Sequence, residues 1–189
     1  KREFFRSFLA KYVTCVAMND QEALALTGTP DPLLAAENAL ELADLVLLTV
    51  GEHGLYLGGW VDAGHARKTT HKLHTKSIVD YNMYEFSRPM RREDCKQPFK
   101  IYSHINPFLG GPRNIRNTNG AGDGALAALL HDMGARKYHQ TKVPKSPKNL
   151  VSSLTYSSLS QICKYANRVS YEVLAQNSPR LSRGLPERE

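Results

Sequence analysis

The sequence predicts an α/β fold in which helices cover a mainly parallel sheet. Two apolar, β-branched runs, at residues 12–18 and 45–50, have the length of buried strands, and two helical segments separate them. A strand, helices and a second apolar strand in this order are typical of a right-handed crossover between parallel strands. Further along the chain, a glycine-rich turn leads directly into an apolar helix that begins near residue 122.

The first half of the chain is predicted to alternate helices and strands. Residues 4–9 have helical spacing without a cap, which suggests that the chain starts inside something larger. A short helix begins near Asp20, and Gly28 is placed to end it. Asp31 and Pro32 supply the N-cap and the first turn of the next helix. The strands of this half are predicted at residues 12–18, 45–50 and 55–60.

The second half contains two long predicted helices. The first covers residues 122–133, and Gly134 is placed to close it. The last helix covers residues 153–176, which carry one apolar stripe. An extended segment at residues 100–109 precedes both helices, and the Gly-Gly-Pro sequence at 110–112 breaks it.

Between residues 61 and 97 the pattern weakens into polar sequence rich in histidine and arginine. Alternation at residues 70–78 indicates one arm of a hairpin. His65, His71 and His74 are spaced loosely in a basic stretch, and without a cysteine or carboxylate that shares their spacing solvated side chains are favoured over a zinc site.

The composition is that of a globular protein, and the length fits one large domain or two small ones. The 189 residues include 25 Lys+Arg and 18 Asp+Glu, a net charge of +7, with 41% hydrophobic and 23% charged residues. The longest apolar runs fall far short of the ~20 residues that span a bilayer, so no membrane segment is expected. Three widely spaced cysteines favour neither a disulfide framework nor a metal site, and they predict a reducing, cytoplasmic location.

The positive charge raises nucleic acid as a partner. The basic residues lie in separate stretches, however, and no aromatic-interleaved basic ribbon accompanies them, which argues against dedicated nucleic-acid binding. The last stretch, residues 136–148, contains two prolines and is interpreted as a solvated loop. A non-catalytic basic module that binds polyanions through this stretch is the alternative from a different functional class.

The most informative motif is Asn-Thr-Asn-Gly-Ala-Gly-Asp at residues 117–123, directly before the predicted apolar helix. Glycines leave the backbone N–H groups of a helix start accessible, and the helix N-terminus adds about half a positive charge. Gly120, Ala121 and Gly122 are therefore candidates for an anion cradle. Asp123 beside them is a candidate acceptor for the proton of an attacking hydroxyl. The structural alternative is a plain turn with Asp123 as a helix-capping residue.

Two further motifs lie at the predicted carboxyl ends of strands, where open α/β sheets bind ligands. Thr49, Gly51 and Gly54 form a glycine turn that could approach a nucleotide, or else an ordinary hairpin turn. Asn19 and Glu22 have the spacing of a capping box. Glu22 could also hold a hydrated Mg²⁺, which binds through one or two carboxylates. The sequence contains no P-loop, no protein-kinase catalytic loop and no GxGxxG motif.

Together these motifs resemble the ribokinase-like family of carbohydrate and purine kinases. The glycine motif followed by GALAALLHD is similar to the family's second signature, usually DTxGAGD. Asn19 and Glu22 match its NxxE motif, and Thr49, Gly51 and Gly54 match its TxGxxG turn, all in the family's order. Longer stretches, YNMYEFSRPMRREDC and CKYANRVSYEVL among them, are similar to the bacterial members that phosphorylate inosine and guanosine.

The resemblance implies a three-layer α/β/α sandwich with a mainly parallel sheet, present here as one domain over residues 1–189 without the family's N-terminal half. It implies transfer of the γ-phosphoryl group of ATP to the 5′-hydroxyl of inosine or guanosine, giving IMP or GMP in purine salvage. A sugar or another nucleoside as acceptor is the alternative within the family. The implied partners are ATP, a purine nucleoside and the missing half; the sequence leaves the oligomeric state open.

The resemblance also assigns roles to residues. Asp123 is the base on the 5′-hydroxyl, and residues 120–122 supply the anion hole. Glu22, with Asn19, orders Mg²⁺ and its waters, and a monovalent cation such as K⁺ is a further option. The residues assigned to the ATP site are Thr49, Gly51, Gly54, Asn117 and Asn167.

The sequence departs from the family pattern in three respects. Asn117 stands where the signature has aspartate, which removes a negative charge near the phosphates. Residues 61–99 exceed the usual family length and are predicted to be an insertion of this subfamily. The half that carries the first glycine-rich signature, most nucleoside contacts and the lid is absent from the sequence.

Overall fold

A computed structural model describes residues 2–69, 80–107 and 115–187. The strands are β1 (Cys15–Asn19), β2 (Leu45–Thr49), β3 (Leu55–Asp62) and β4 (Pro98–Ile105), adjacent in that order. The α-helices within these ranges are α1 (Arg2–Tyr12), α2 (Asp20–Thr27), α3 (Pro32–Ala39), α4 (Ala121–Lys142) and α5 (Leu159–Leu174).

The sheet is buried between two helical layers. The first four residues of β2 are fully buried and point alternately to opposite faces. Leu45 and Leu47 pack in the cluster that includes α4 and α5, whereas Val46 and Leu48 pack with α2 and α3. Burial on both faces explains why this strand is a continuous apolar run in the sequence. The three-layer α/β/α architecture is therefore confirmed.

The strand directions differ from the expected mainly parallel sheet. β1 and β2 are parallel, with Cys15 opposite Leu45, as the crossover predicts. β3 is antiparallel to both β2 and β4. The reason is the short turn between Thr49 and Leu55, which cannot accommodate the dozen or more residues that a parallel crossover requires.

Capping residues set the boundaries of α2 and α3 as predicted. Gly28 ends α2 in the left-handed conformation at φ 77°. Leu34 N–H donates to Asp31 Oδ1 at 3.0 Å at the start of α3. The first strand begins later than expected, at Cys15 instead of residue 12. Tyr12 is the last residue of α1, whose hydrogen bonding continues through Val13 N–H to the carbonyl of Leu9.

The helix α4 does not end at Gly134, contrary to the prediction, and reaches Lys142. Buried Arg136, 2% exposed, anchors its second half by donating to Asn149 Oδ1 and to the carbonyls of Val151 and Ser153. The expectation of a solvated loop over residues 136–148 is therefore wrong for its first part. Because Arg136 is internal, its charge does not contribute to a polyanion-binding surface.

The last helix is shorter than the predicted residues 153–176. It begins after Ser158, whose side chain forms a capping box with Gln161. The segment before it is instead tied to α4, where Asp132 Oδ2 accepts from the N–H groups of Tyr156 and Ser157. These tertiary bonds hold that segment outside the helix.

The described part of residues 61–99 holds the end of β3 and two short 3₁₀ turns, Ala63–His65 and Arg92–Asp94. The predicted hairpin arm at 70–78 and the break at 110–112 lie outside the described residues. In α1 no residue is buried, and Phe4, Phe5 and Tyr12 are 69%, 55% and 64% exposed. Among the helices that the structure describes, none combines the length and apolar character needed to cross a membrane.

Candidate active site

A cavity of about 200 Å³ lies where β1 and β2 end and α4 begins. Its wall includes Glu22, Thr49, Gly122 and Asp123, one or more residues from each of the three sequence motifs. The parallel pairing places Asn19 opposite Thr49, so the carboxyl ends of both strands open at this edge. The structure thus brings together the residues that the sequence singled out in three separate segments.

The start of α4 leaves backbone donors available. Gly120 has φ +84°, and the first helical hydrogen bond runs from Gly124 N–H to its carbonyl at 2.8 Å. Within the described residues, the N–H groups of Ala121, Gly122 and Asp123 have no acceptor. Three accessible donors at the positive end of a 22-residue helix form the predicted anion cradle.

The conformation of the cradle depends on its glycines. A Cβ on Gly120 would lie 2.7 Å from the carbonyl oxygen of Pro179, in addition to the cost of a positive φ. A Cβ on Gly122 would lie 3.5 Å from Thr49 Oγ1, at the cavity wall. Gly120 is therefore required by the fold, whereas the missing side chain of Gly122 keeps the cavity open.

Asp123 is exposed, in the first turn of α4. Among the described residues its carboxylate has no hydrogen-bond partner, so it does not cap the helix as the structural alternative required. A carboxylate at a cavity, with both oxygens available, can accept a proton from a bound hydroxyl.

The Asn19 and Glu22 motif forms a complete capping box for α2. Glu22 N–H donates to Asn19 Oδ1 at 2.9 Å, and Asn19 N–H donates to Glu22 Oε2 at 2.9 Å. The structural interpretation of this motif is therefore correct. It also leaves Glu22 Oε1 without a partner among the described residues, at the wall of the same cavity as Asp123.

The turn after β2 is a hairpin turn, which agrees with its structural interpretation. Gly54 has φ +88°, and a Cβ there would collide with the carbonyl oxygen of Ile105 on β4. Gly51 has φ +47° and open space around it. Thr49 lines the cavity, whereas Gly51 and Gly54 do not.

Like Gly51 and Gly54, two further residues assigned to the ATP site lie outside the cavity wall. Asn117 Oδ1 accepts from Asn119 N–H at 2.9 Å and so shapes the loop before the cradle. Asn167, on α5, donates to the carbonyl of Asn106 at 3.1 Å, just after β4. Both side chains have a structural contact of their own.

Sequence reasoning missed two supports of the cradle. Ser170 Oγ on α5 donates to the carbonyl of Ala121 at 2.8 Å. Pro179 covers Gly120. Nothing in the periodicity or motifs marks either residue, because the contacts join residues 49 and 59 positions apart in sequence.

The residues present fit a magnesium ion bound together with substrate phosphates. Among the described residues no three His, Cys, Asp or Glu side chains cluster as a self-sufficient metal site. Glu22 and Asp123 nevertheless share one cavity, and Mg²⁺ is commonly held by one or two carboxylates plus substrate phosphates and waters.

Comparison with solved structures identifies the class of fold. A probable sugar kinase from Rhizobium etli matches with a TM-score of 0.56 and 19% identity, over 97% of this chain and 38% of that one. The adenosine kinase of Sinorhizobium meliloti gives 0.54 and 19%, over 96% and 37%. The ribokinase of Giardia lamblia gives 0.52 and 16%, over 97% and 44%. The chain has part of the ribokinase-like kinase fold.

The sequence comparison is more specific. The guanosine-inosine kinase of Escherichia coli K12 is 58% identical over 187 residues, 99% of this chain and 43% of that protein. The resemblance predicted from the motifs is thus confirmed, and the chain spans less than half the length of the curated relatives it matches. No family model matches the chain.

Proposed function

We propose that this chain is the ATP-binding portion, with the catalytic base, of a cytoplasmic purine nucleoside kinase. The reaction is transfer of the γ-phosphoryl group of ATP to the 5′-hydroxyl of inosine or guanosine, giving IMP or GMP for purine salvage. One observation carries the proposal: a single cavity joins two carboxylates to the free amides at the start of α4. The name of the E. coli relative supports the choice of acceptor.

Asp123 is the base in this proposal. It accepts the proton of the 5′-hydroxyl, which makes the oxygen a better nucleophile toward the γ-phosphorus. The anion hole is assigned to residues 120–122, and two of them, Ala121 and Gly122, are among the free N–H donors at the start of α4. These donors stabilise negative charge on the transferred group without reorganising. Phosphoryl transfer depends mainly on such positioning and charge stabilisation, so a cradle beside a base is the required arrangement.

Glu22 is the residue proposed to hold Mg²⁺ and its waters. Asn19 keeps Glu22 in place through the capping box, which uses one carboxylate oxygen of this cavity-lining residue and leaves the other without a partner among the described residues. When bound with ATP, the metal neutralises phosphate charge. Asp123 and Glu22 stay separate in role, because Asp123 is in the first turn of α4, next to the cradle, whereas Glu22 is on α2.

Thr49, Gly51 and Gly54 are proposed to border the ATP site. Thr49 contributes directly at the cavity, and the open surface at Gly51 lets a nucleotide approach the backbone. Asn117 and Asn167 are proposed to act through the loops they anchor. A K⁺ ion near the cradle is a further proposal. Asn117 would offer this ion a neutral amide oxygen, because the aspartate of the family signature is absent at this position.

The nucleoside contacts are proposed to come from a further portion of the complete kinase. The E. coli relative extends well beyond the matched region, which leaves room for such a portion. We therefore expect the chain alone to bind ATP weakly and to phosphorylate no nucleoside at a useful rate. A panel of nucleosides and sugars on the complete protein distinguishes inosine and guanosine from the alternative acceptors.

The test of the base is Asp123→Asn in the complete protein. Asparagine has the same shape and cannot take the proton, so kcat should fall by roughly 10²–10⁴-fold while ATP binding changes little. Asp20→Asn is the matched control, because Asp20 is an exposed carboxylate at the start of α2 outside the cavity wall. Near-wild-type turnover of Asp123→Asn would remove Asp123 from its proposed role.

A further inference from the structure

A second cavity, of about 190 Å³, lies in the segment that follows β3. His65, Arg67 and Arg88 line it, and Val151 closes it from the loop after α4. Arg136, on α4, donates to the carbonyl of Val151 at 2.8 Å and so stands directly behind this wall. The cavity therefore has a strongly basic lining.

Arg88 is the unusual member of this group. Its Nη1 atom is buried and has no hydrogen-bond partner among the described residues. The pKa of Arg88 is lowered, first by burial and then by the positive charge of Arg67. A buried guanidinium donor without an acceptor is costly, and a bound ion is one of the explanations for such a group.

No carboxylate of the described residues compensates this charge. Arg136 bonds to neutral acceptors, and its own pKa is lowered by burial and by the charge of Arg88. The sequence over residues 63–79 contains four Lys or Arg, three His and no Asp or Glu. Asp62 Oδ2 lies 3.6 Å from His65 Nδ1, but Asp62 does not line the cavity and accepts from the N–H groups of Gly64 and Gln97.

The two cavity arginines lie on fixed backbone. Arg67 N–H donates to Ser87 Oγ at 2.8 Å, and Ser87, fully buried, accepts from Leu159 N–H through its carbonyl at 3.1 Å. This ties Arg67 and the residue before Arg88 to the start of α5. The backbone that carries both arginines is thus held in place, which reduces the entropy lost when a ligand binds.

The basic cavity is distant from the candidate active site. Asp123 and Arg136 are separated by thirteen residues of α4, or roughly 20 Å along the helix axis at about 1.5 Å per residue. β3 also runs antiparallel to β2, and β2 is parallel to β1. The segment after β3 therefore leaves the sheet at the end opposite to the carboxyl ends of β1 and β2, where the candidate active site lies. A ligand in this cavity would not touch the proposed ATP cradle.

We propose that this cavity, lined by His65, Arg67 and Arg88, is a second anion site that binds a phosphate group. The paired N–H donors of an arginine guanidinium match the oxygens of a phosphate group. The phosphate dianion would supply the negative charge that no carboxylate of the described residues provides to Arg88. The volume lies below the ~300–1,000 Å³ of pockets that enclose whole small molecules. The cavity therefore takes a free phosphate ion, or the phosphate group of a nucleotide whose remainder lies outside.

Amide-resolved NMR titration of the full chain with inorganic phosphate tests the proposal, because it separates the two anion sites. The resonances of Gly64, Ala66 and Val151 should shift and saturate, in addition to any shift at the α4 cradle. In Arg88→Gln the apparent Kd at the cavity should rise roughly tenfold or more, the scale of a lost charge-assisted hydrogen bond. Arg91→Gln is the matched control, since Arg91 is a surface residue paired with Glu93.

Further titrations identify the anion. Binding of AMP that also depends on Arg88 would assign the phosphate group to a nucleotide, and binding of phosphate without AMP would assign it to the free ion; both support the site. Equal shifts with acetate, or with sodium chloride at the same ionic strength, overturn it. So does phosphate binding that perturbs only Ala121, Gly122 and Asp123.

Thermal unfolding with and without phosphate tests the proposal even if a variant gives poor NMR spectra. Phosphate should raise the thermal midpoint of the wild-type chain, and should raise that of Arg88→Gln and Arg67→Gln less. Without phosphate, Arg88→Gln should be no less stable than wild type, because the substitution removes a partly buried charge whose Nη1 atom lacks a partner among the described residues. A large loss of stability in phosphate-free buffer would show that Arg88 has a structural role and would contradict the proposal.

Discussion

Gly122, in the first turn of α4, faces the hydroxyl group of Thr49 at the end of β2: a Cβ on Gly122 would lie 3.5 Å from Thr49 Oγ1. The two residues belong to different motifs and line the same cavity. The missing side chain of Gly122 leaves the space in which an anion can reach the free amides of the helix. Substitutions at Gly122 should therefore affect activity, whereas substitutions at Gly120, which Pro179 covers, should affect stability.

Gly122→Ala should preserve the fold and impair catalysis. At 3.5 Å the new methyl group makes an ordinary van der Waals contact, so the thermal midpoint should not fall. The methyl group occupies the cradle, and kcat/KM of the complete kinase should drop by about 10²-fold, the scale for loss of one anion-hole donor. Steady-state kinetics and thermal unfolding on the same preparation check both parts. Unimpaired kinetics would contradict the cradle.

Gly120→Ala should destabilise the chain by about 2 kcal/mol. The native φ of +84° disfavours any Cβ, and Pro179 leaves no room for it. Gly134→Ala is the matched control, because Gly134 lies within α4 with nothing nearby, and alanine there should stabilise by about 0.5–1 kcal/mol. Urea unfolding measures the free energy of unfolding of both variants. Equal changes in Gly120→Ala and Gly134→Ala would contradict the structural requirement for glycine at position 120.

Glu22→Gln should separate capping from metal binding. Glutamine retains the capping box, so stability should change little, but the loss of charge should raise the Mg²⁺ concentration that half-saturates the complete kinase by roughly tenfold. Asn19→Ala removes the cap itself and should cost about 0.5–2 kcal/mol. Mg²⁺ titrations of activity with urea unfolding test the pair. An unchanged Mg²⁺ requirement in Glu22→Gln would exclude this carboxylate.

Arg136→Ala should be among the most destabilising substitutions in α4. It leaves Asn149 Oδ1 and the carbonyls of Val151 and Ser153 without their donor, at a cost of at least about 2 kcal/mol. Arg136→Lys keeps the charge and fewer donors, so it should fall between alanine and wild type. Lys137→Ala, on the exposed side of the same helix, should have little effect in chemical unfolding. If Arg136→Ala matches Lys137→Ala, the anchoring role is wrong.

Cys95 should alkylate slowly in the native state despite its partial exposure. Its pKa is raised from 9.0 to about 11, first by burial and then by the negative charge of Asp62. The thiolate is disfavoured in the fold, so the native chain retains this proton over pH 9–11, where the unfolded chain loses it. The stability linked to Cys95 is therefore present below pH 9 and is lost as pH rises toward 11.

Iodoacetamide labelling with peptide mapping measures the Cys95 reactivity. At pH 9 the native rate should be at least roughly tenfold below that of the urea-unfolded chain, since the thiolate is the reactive form. The native rate should keep rising to about pH 11. A native rate that levels off near pH 9 would contradict the raised pKa.

Local chemistry explains why much of the fold was predictable. The caps at Asn19 and Asp31 and the left-handed Gly28 act within four residues of themselves, and the structure has all three as expected. The double-sided burial of β2 is also visible, as an uninterrupted apolar run. The glycines before α4 identify the cradle for the same reason, because their effect is on the adjacent helix start.

Long-range contacts decided what the sequence could not. The continuation of α4 past Gly134 depends on acceptors at Asn149 and Val151, and the shortening of α5 depends on Asp132. The antiparallel direction of β3 follows from the short turn between Thr49 and Leu55. The sequence shows the length of this turn, but it does not show that β3 pairs with β2.

The sequence by itself therefore determined the motifs, their local conformations and the family they resemble. Only the tertiary structure decided that Glu22, Thr49 and Asp123 share one cavity, and that Arg88 carries a buried donor without a partner. The physical reason is the sequence distance over which each interaction acts. Helix caps and left-handed glycines depend on residues that are neighbours in the chain. Cavities and unpaired charges are set by segments that meet only when the sheet and its helices pack.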